Sequence, residues 1–244
     1  MSKVLVIPDV HLKAEMFDRA EKILESGQAD FAVQLGDLVD DWEMQCAVAF
    51  YQKTIERVIK FNNKFPKTLW CMGNHDFGYY DFYYGRQETG HSRLMEDEMT
   101  RLLKKMFNEG DVHQKIVHIV DDVIFSHAGV LFDFVKERVP DNSDWENDTN
   151  FVLNLLNDLS GKDLWDPYSP IWARPQNGHS VMWGKQRYMQ VVGHTPVKTA
   201  EYNKYTKILS TDTFSTYSDG TEFGDKRFVI VDTVNKTWAY AEEL

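Results

Sequence analysis

Residues 3–11 read KVLVIPDVH, a short apolar run rich in β-branched side chains that ends in a carboxylate and an imidazole two positions apart. KVLVIP has the length of a buried strand, and its unbroken apolar character suits a strand covered on both faces. Immediately downstream, Met16, Phe17, Ala20, Ile23 and Leu24 recur at helical spacing, so a helix with one apolar face follows. The pattern then repeats. Residues 30–35 (DFAVQL) form a second strand, Val48, Tyr51, Ile55, Val58 and Ile59 mark one face of a longer helix, and residues 68–72 (TLWCM) form a third strand. A βαβαβ order predicts an α/β fold with a largely parallel sheet. In such sheets ligands collect beyond the carboxyl ends of the strands.

The later chain reads differently. Residues 77–110 open with an aromatic-rich stretch, FGYYDFYYG. A helix follows with Met95, Met99, Leu102, Leu103 and Met106 on one side, and the whole reads as an insertion over the site. Strand-like runs return at 115–120, 123–126, 188–192, 207–210, 227–231 and 237–241, and their short connections predict a second, mixed sheet packed on the first. Residues 140–184, with clustered Pro, Trp and Asn, are expected to cover the site. No repeat, low-complexity tract or linker interrupts the chain, so one domain over residues 1–244 is expected.

Composition narrows the functional classes. No stretch approaches the roughly 18 consecutive apolar residues of a membrane span. The start runs into a strand without the features of a leader, so a soluble, cytoplasmic protein with no membrane partner is expected. Cys46 and Cys71 are too few for a disulfide framework and read as small core residues. A net charge of −11 would repel duplex nucleic acid, so no stable duplex partner is expected. The same excess of carboxylates suits a chain that holds divalent cations.

Five strands end in polar clusters: Asp9 and His11; Asp37 and Asp40 within GDLVD; Asn74, His75 and Asp76 within GNHD; His127 within SHAG; and His194 within GHT. Each alone reads as a cap or turn, because an Asp after a strand satisfies free main-chain donors there. Recurrence at successive strand ends is a different matter, since parallel topology places those ends along one sheet edge. Carboxylate, imidazole and amide donors without thiolate suit a pair of divalent ions such as Mn, Fe or Zn. Two ions held roughly 3.5–4 Å apart lower the pKa of a bridging water and clamp the oxygens of an in-line displacement at phosphorus. That is phosphate-ester hydrolysis.

In order and spacing these motifs resemble the calcineurin-like metallophosphoesterases. GDLVD, SHAG, IWARP and GHTP look most like the branch of Ser/Thr phosphoprotein phosphatases, their bacteriophage relatives and symmetric diadenosine tetraphosphatases. The resemblance implies a four-layer sandwich of two packed mixed sheets flanked by helices. It also implies that Asp9 and His11 bind one metal, Asp37 bridges both, and Asn74, His127 and His194 complete the second site. His75 would be the general acid oriented by Asp40, and Arg174 in WAR would hold substrate phosphate. A carboxylate beside imidazole raises its pKa, which agrees with an acid role.

Two departures stand out. The phosphatase branch continues its second motif with an Arg that grips phosphate, whereas Asp41 and Trp42 follow Asp40 here, which should weaken a dianionic monoester more than a monoanionic diester. Pro196 occupies the place of a second His found in many other branches. Phosphoprotein, nucleotide and small-molecule esters all remain open as substrates. The other readings are a nucleotide or oligonucleotide phosphodiesterase or dinucleoside polyphosphate hydrolase, and a scaffold that keeps the fold without catalysis, opposed by the intact ligand set. The Tyr-rich run either stacks a base or packs as core. Arg101, Lys104 and Lys105 read as a solvated helix face. Of His91, His113, His118 and His179, only His179 lies close enough to Arg174 in sequence to watch.

Overall fold

The first apolar run becomes the centre of a sheet because both of its faces are covered. In a computed structural model of the protein, which describes residues 2–42, 44, 47–80, 93–141, 144–177 and 180–242, strand β1 (Lys3–Ile7) alternates its side chains between two cores. Val4 and Val6 point one way, Leu5 and Ile7 the other, and all four are fully buried. Each such burial stabilises the fold by about 1.5–3 kcal/mol.

The described elements follow as α1 (Met16–Glu25), β2 (Phe31–Gln34), α2 (Val48–Lys64), β3 (Leu69–Cys71), α3 (Asn74–Tyr80) and α4 (Glu96–Gly110). Next come β4 (Gln114–Lys115), β5 (Val117–Val120), β6 (Val123–Ser126), α5 (Phe132–Lys136) and α6 (Thr149–Asn157). The chain continues through β7 (Met189–Val192), β8 (Glu201–Asn203), β9 (Ile208–Ser210), β10 (Val229–Asp232) and β11 (Thr237–Tyr240). One sheet has the order β11-β10-β1-β2-β3-β4, the other β5-β6-β7-β9-β8. The sheets face each other across a core that joins Val4, Val6, Val33 and Leu35 to Phe125, Val191 and Leu209. Leu5, Ile7 and Trp70 pack outward on α1, α2 and α4, while Ile124, Val192 and Ile208 pack outward on residues of α5, α6 and the 140–184 segment. The result is the expected sandwich of two mixed sheets between helices. Among the described residues no helix is long and apolar enough to cross a membrane.

Three expectations change. The runs at 227–231 and 237–241 belong to the first sheet, not the second: β10 lies antiparallel against β1, with Val6 opposite Val229, and β11 pairs with β10. The run at 115–120 is two strands in different sheets, with Ile116 buried between them. Helix α4 does not cover the site. Its apolar face, Met99, Leu102, Leu103 and Met106, packs with Ile55 and Ile59 of α2 in the outer helix layer. An edge strand, β8, was not anticipated.

Candidate metal centre

Strands β1, β2 and β3 are parallel, and β6, β7 and β9 are parallel in the other sheet, so their carboxyl ends gather the polar clusters at one edge of the sandwich. The turns there are tight. His11, Asp37, Asp40 and His194 adopt left-handed backbone conformations, with φ of 43°, 52°, 62° and 60°. Asp and His tolerate this region better than most residues, but each instance costs on the order of 1–3 kcal/mol unless its surroundings hold it. They are held: the main-chain N–H groups of Val10 and His11 both donate to the Asp37 carbonyl at 2.9 Å. Glycine is required beside two carboxylates. A Cβ on Gly73 would lie 2.1 Å from Asp37 Oδ1, and one on Gly193 2.0 Å from Asp9 Oδ1, which explains the glycines of GNH and GHT.

The structure brings Asp9, His11, Asp37, Asp40, Asn74, His75, His127 and His194 together. His11 Nδ1 donates to the Asp40 carbonyl at 2.6 Å and His127 Nδ1 to the Leu35 carbonyl at 2.9 Å, which leaves both Nε2 atoms turned toward the carboxylates. Asp37 Oδ2 is 3.7 Å from His11 Nε2 and 3.3 Å from His127 Nε2, and Asp9 Oδ2 is 3.9 Å from His11 Nε2. His127 Nε2 in turn lies 2.9 Å from Asn74 Oδ1 and 3.0 Å from His194 Nδ1. Two groups have donor atoms within 4.8 Å of one another, His11 with Asp37 and His75, and Asp37 with His127 and His194. Asp37 is common to both.

His75 differs from the other imidazoles in its partner. Its Nδ1 is 3.1 Å from Asp40 Oδ2, while Asp40 Oδ1 accepts from the phenols of Tyr51 at 2.5 Å and Tyr79 at 2.6 Å. Burial pulls the His75 pKa down, but the Asp37 charge and the Asp40 hydrogen bond outweigh burial and hold it up at about 9. His127 is likewise opposed by burial yet held at about 9 by Asp37 and Asp9. Burial, with Asp212 and Asp37 nearby, pushes Asp9 well up. Asp37 goes the other way, because His127, His75 and His11 outweigh its burial.

A sequence profile described as calcineurin-like phosphoesterase matches residues 2–213. The chain belongs to that family. It is therefore a metal-dependent phosphoester hydrolase. Among solved structures, the cold-active protein-tyrosine phosphatase of a psychrophilic Shewanella species shares 16% identity over 99% of this chain and 81% of its own, with a TM-score of 0.52, and so the same fold. A phosphoesterase from E. coli shares 14% identity over 99% of this chain and 100% of its own, with a TM-score of 0.42. A comparison with curated proteins returned no match.

The residues of this calcineurin-like phosphoesterase fit divalent metal ions. Nitrogen and oxygen donors converge without thiolate, as borderline and hard divalent ions require. The Nε2 of His194 and the Oδ1 of Asp212 are buried without hydrogen-bond partners, and the close carboxylates lack a buried Lys or Arg among the described residues. Buried charges ordinarily need such a partner.

Around this centre the phosphoesterase forms a cleft of about 290 Å³, whose lining includes Trp172, Arg174, Pro196, Asp41, Trp42 and Thr216. Arg174 is exposed, and its Nη1 lies 3.2 Å from Thr195 Oγ1. Asp41 is not the added anion that its sequence position implied, because Lys13 Nζ pairs with its Oδ2 at 2.9 Å. Of the 140–184 segment, Trp172 and Arg174 reach the cleft; Trp145, Val152, Leu156, Leu164 and Met182 pack in a core instead. His113 pairs with Asp111, and His118 meets the Trp70 carbonyl with its pKa lowered to about 4 by burial. Neither lines the cleft. Phe77 packs as core and Tyr79 holds Asp40, while residues 81–85, His91, His179 and Cys46 lie outside the described residues.

Sequence reasoning gave no task to Asp76. Its carboxylate accepts from the main-chain N–H groups of Asp37 and Leu38 at 2.9 Å and Gly73 at 3.1 Å, and from Gln114 Nε2 at 2.9 Å, so it clamps the β2 and β3 loops together. The fourth position of GNHD was the available signal. Asp76→Ala would leave three buried donors unpaired at roughly 1–3 kcal/mol each. A loss of about 3 kcal/mol or more is expected in the free energy of denaturant unfolding.

Proposed function

We propose that this phosphoesterase is a binuclear enzyme, acting as one catalytic domain, in which Asp37 bridges two divalent ions drawn from Mn, Fe or Zn. The observation that carries this reading is the place of Asp37 in both ligand groups, between His11 on one side and His127 on the other. Asp9 and His11 would complete one site, and Asn74, His127 and His194 the second. Loading with divalent ions supplies Lewis-acid charge neutralisation and a water of lowered pKa for in-line attack at phosphorus.

The chain's own residues do the remaining work. With Nδ1 tied to Asp40, His75 delivers the proton on Nε2 to the leaving-group oxygen as the phosphorus–oxygen bond breaks. Tyr51 and Tyr79 keep the Asp40 carboxylate aimed at that ring. Arg174 orients a phosphate oxygen pair through its planar guanidinium. The IWARP run and GHTP ending support placement in the branch of phosphoprotein phosphatases and dinucleoside tetraphosphatases.

A second reading, a preference for diesters, is favoured because Arg174 is the single Lys or Arg among the described residues lining the cleft. One guanidinium matches a monoanionic diester better than a dianionic monoester. Mn-dependent hydrolysis of p-nitrophenyl phosphate and bis(p-nitrophenyl) phosphate, measured side by side on metal-stripped and reloaded enzyme, decides between the two. Arg174→Ala should lower kcat/KM on the monoester by roughly 10–100-fold, the range of one charge-assisted hydrogen bond. Reloaded enzyme that bound metal yet cleaved neither ester would count against both readings.

A further inference from the structure

Strand β9 runs parallel to β7, so its carboxyl end opens on the same edge as His127 and His194. The residues that follow, Thr211, Asp212 and Thr213, are buried and stitched to the neighbouring loop. Thr211 donates to the Val192 carbonyl from both its main-chain N–H and its hydroxyl, and Val197 donates its N–H to the Asp212 carbonyl at 2.8 Å. The Asp212 side chain lines the cleft at 1% exposure. Its Oδ2 accepts from Ser215 Oγ at 2.6 Å, and its Oδ1 has no hydrogen-bond partner. Asp212 lines the same cleft as His11, and Thr211 bonds to the end of the strand that leads into His194, whose main-chain N–H donates to the Asp9 carboxylate.

A buried carboxylate with one idle oxygen, beside a second carboxylate, is costly unless a cation accompanies it. Arg174 is the only Lys or Arg among the described lining residues. Groups just outside a metal's direct ligands commonly tune its affinity by their charge and hydrogen bonds.

We propose that Asp212 is a positioning residue of the metal centre, whose negative charge strengthens the hold of Asp9 and His11 on their divalent ion. The inference rests on the binuclear reading above. It is tested by titrating metal-stripped full-length protein with Mn(II) in a calorimeter, wild type against Asp212→Asn, with thermal unfolding of both ion-free proteins. One binding step should weaken by roughly 10–100-fold while the other is unchanged. The ion-free midpoint should stay level or rise, because a buried unpaired charge has been removed.

A merely structural carboxylate predicts the reverse, a lower midpoint with unchanged Mn(II) affinity, and that result overturns the proposal, as does a loss spread equally over both steps. Should Asp212→Asn not fold, Ser215→Ala loosens the same carboxylate: a selective fall in one step supports the proposal and unchanged affinity overturns it. Wild-type protein that binds fewer than two Mn(II) ions per chain defeats the binuclear reading. Two ions bound equally well by wild type and variant defeat only this inference.

Discussion

On the binuclear reading proposed above, Asp37→Asn should reduce Mn-dependent hydrolysis by roughly 10³-fold or more, because a carboxylate shared by two ions would support several kcal/mol of transition-state stabilisation and each 1.36 kcal/mol is tenfold. The change is isosteric. Asp37 Oδ1 accepts the main-chain N–H of His75 at 2.9 Å, and an Asn carbonyl oxygen can accept the same bond, so the loops should keep their conformation. What is lost is the charge shared by His11, His75 and His127. That charge also stabilises the ion-free chain. Its pKa lies below the unfolded value of 3.8, so the contribution is present above that pH and is lost as pH falls further. Ion-free wild type should therefore lose its advantage over the variant in acid. Metal content and kcat/KM check the main effect, and a variant retaining Mn-dependent turnover would remove Asp37 from the centre.

His75→Asn should cost roughly 10²–10⁴-fold, the range for a positioned proton donor. The size should depend on the leaving group. An alkyl oxygen must be protonated as it departs, whereas p-nitrophenolate leaves unaided, so alkyl esters should fall near the top of the range and p-nitrophenyl esters near the bottom. The pH profile supplies a second readout. The His75 pKa is raised above 6.5 to about 9, so in the ion-free chain its stabilising contribution is complete below pH 6.5 and disappears as pH rises through about 9. Bound cations repel an imidazolium, so the alkaline limb of kcat in the loaded enzyme should fall below pH 9 and be missing in the variant. Equal losses for both leaving groups, or a limb that survives substitution, would reassign the proton donor.

The parts of this molecule readable from sequence are those whose signals are local. A run such as KVLVIP declares a strand buried on both faces, and α1 and α2 declare their apolar sides through spacing alone. The strand-end Asp, His and Asn residues followed from the same reading, since parallel topology decides where strand ends lie. What escaped depends on distant partners. Residues 227–231 have the same apolar pattern whichever sheet they join, and only pairing with β1 decides the matter. Strand β8, Glu201–Asn203, is short and largely exposed, with nothing to distinguish it from a loop. Asp41 showed its charge in the sequence but not its neutralising Lys13, which lies 28 residues away. Asp76 escaped because its principal partners are main-chain N–H groups, and Asp212 because the cleft it lines is built from loops distant in sequence.

The antiparallel contact of β10 with β1 has a consequence for how the protein is made. On the ribosome β1, β2 and β3 can associate early, but β1, which delivers Asp9 and His11, remains an open edge until residues 229–232 have emerged. Pairings so far apart in sequence form slowly, and an exposed strand edge invites association with other nascent chains. On the proposed site, stable metal capture is expected only once β10 has closed that edge, and abortive products ending before that strand should accumulate as aggregates and not as partly active enzyme.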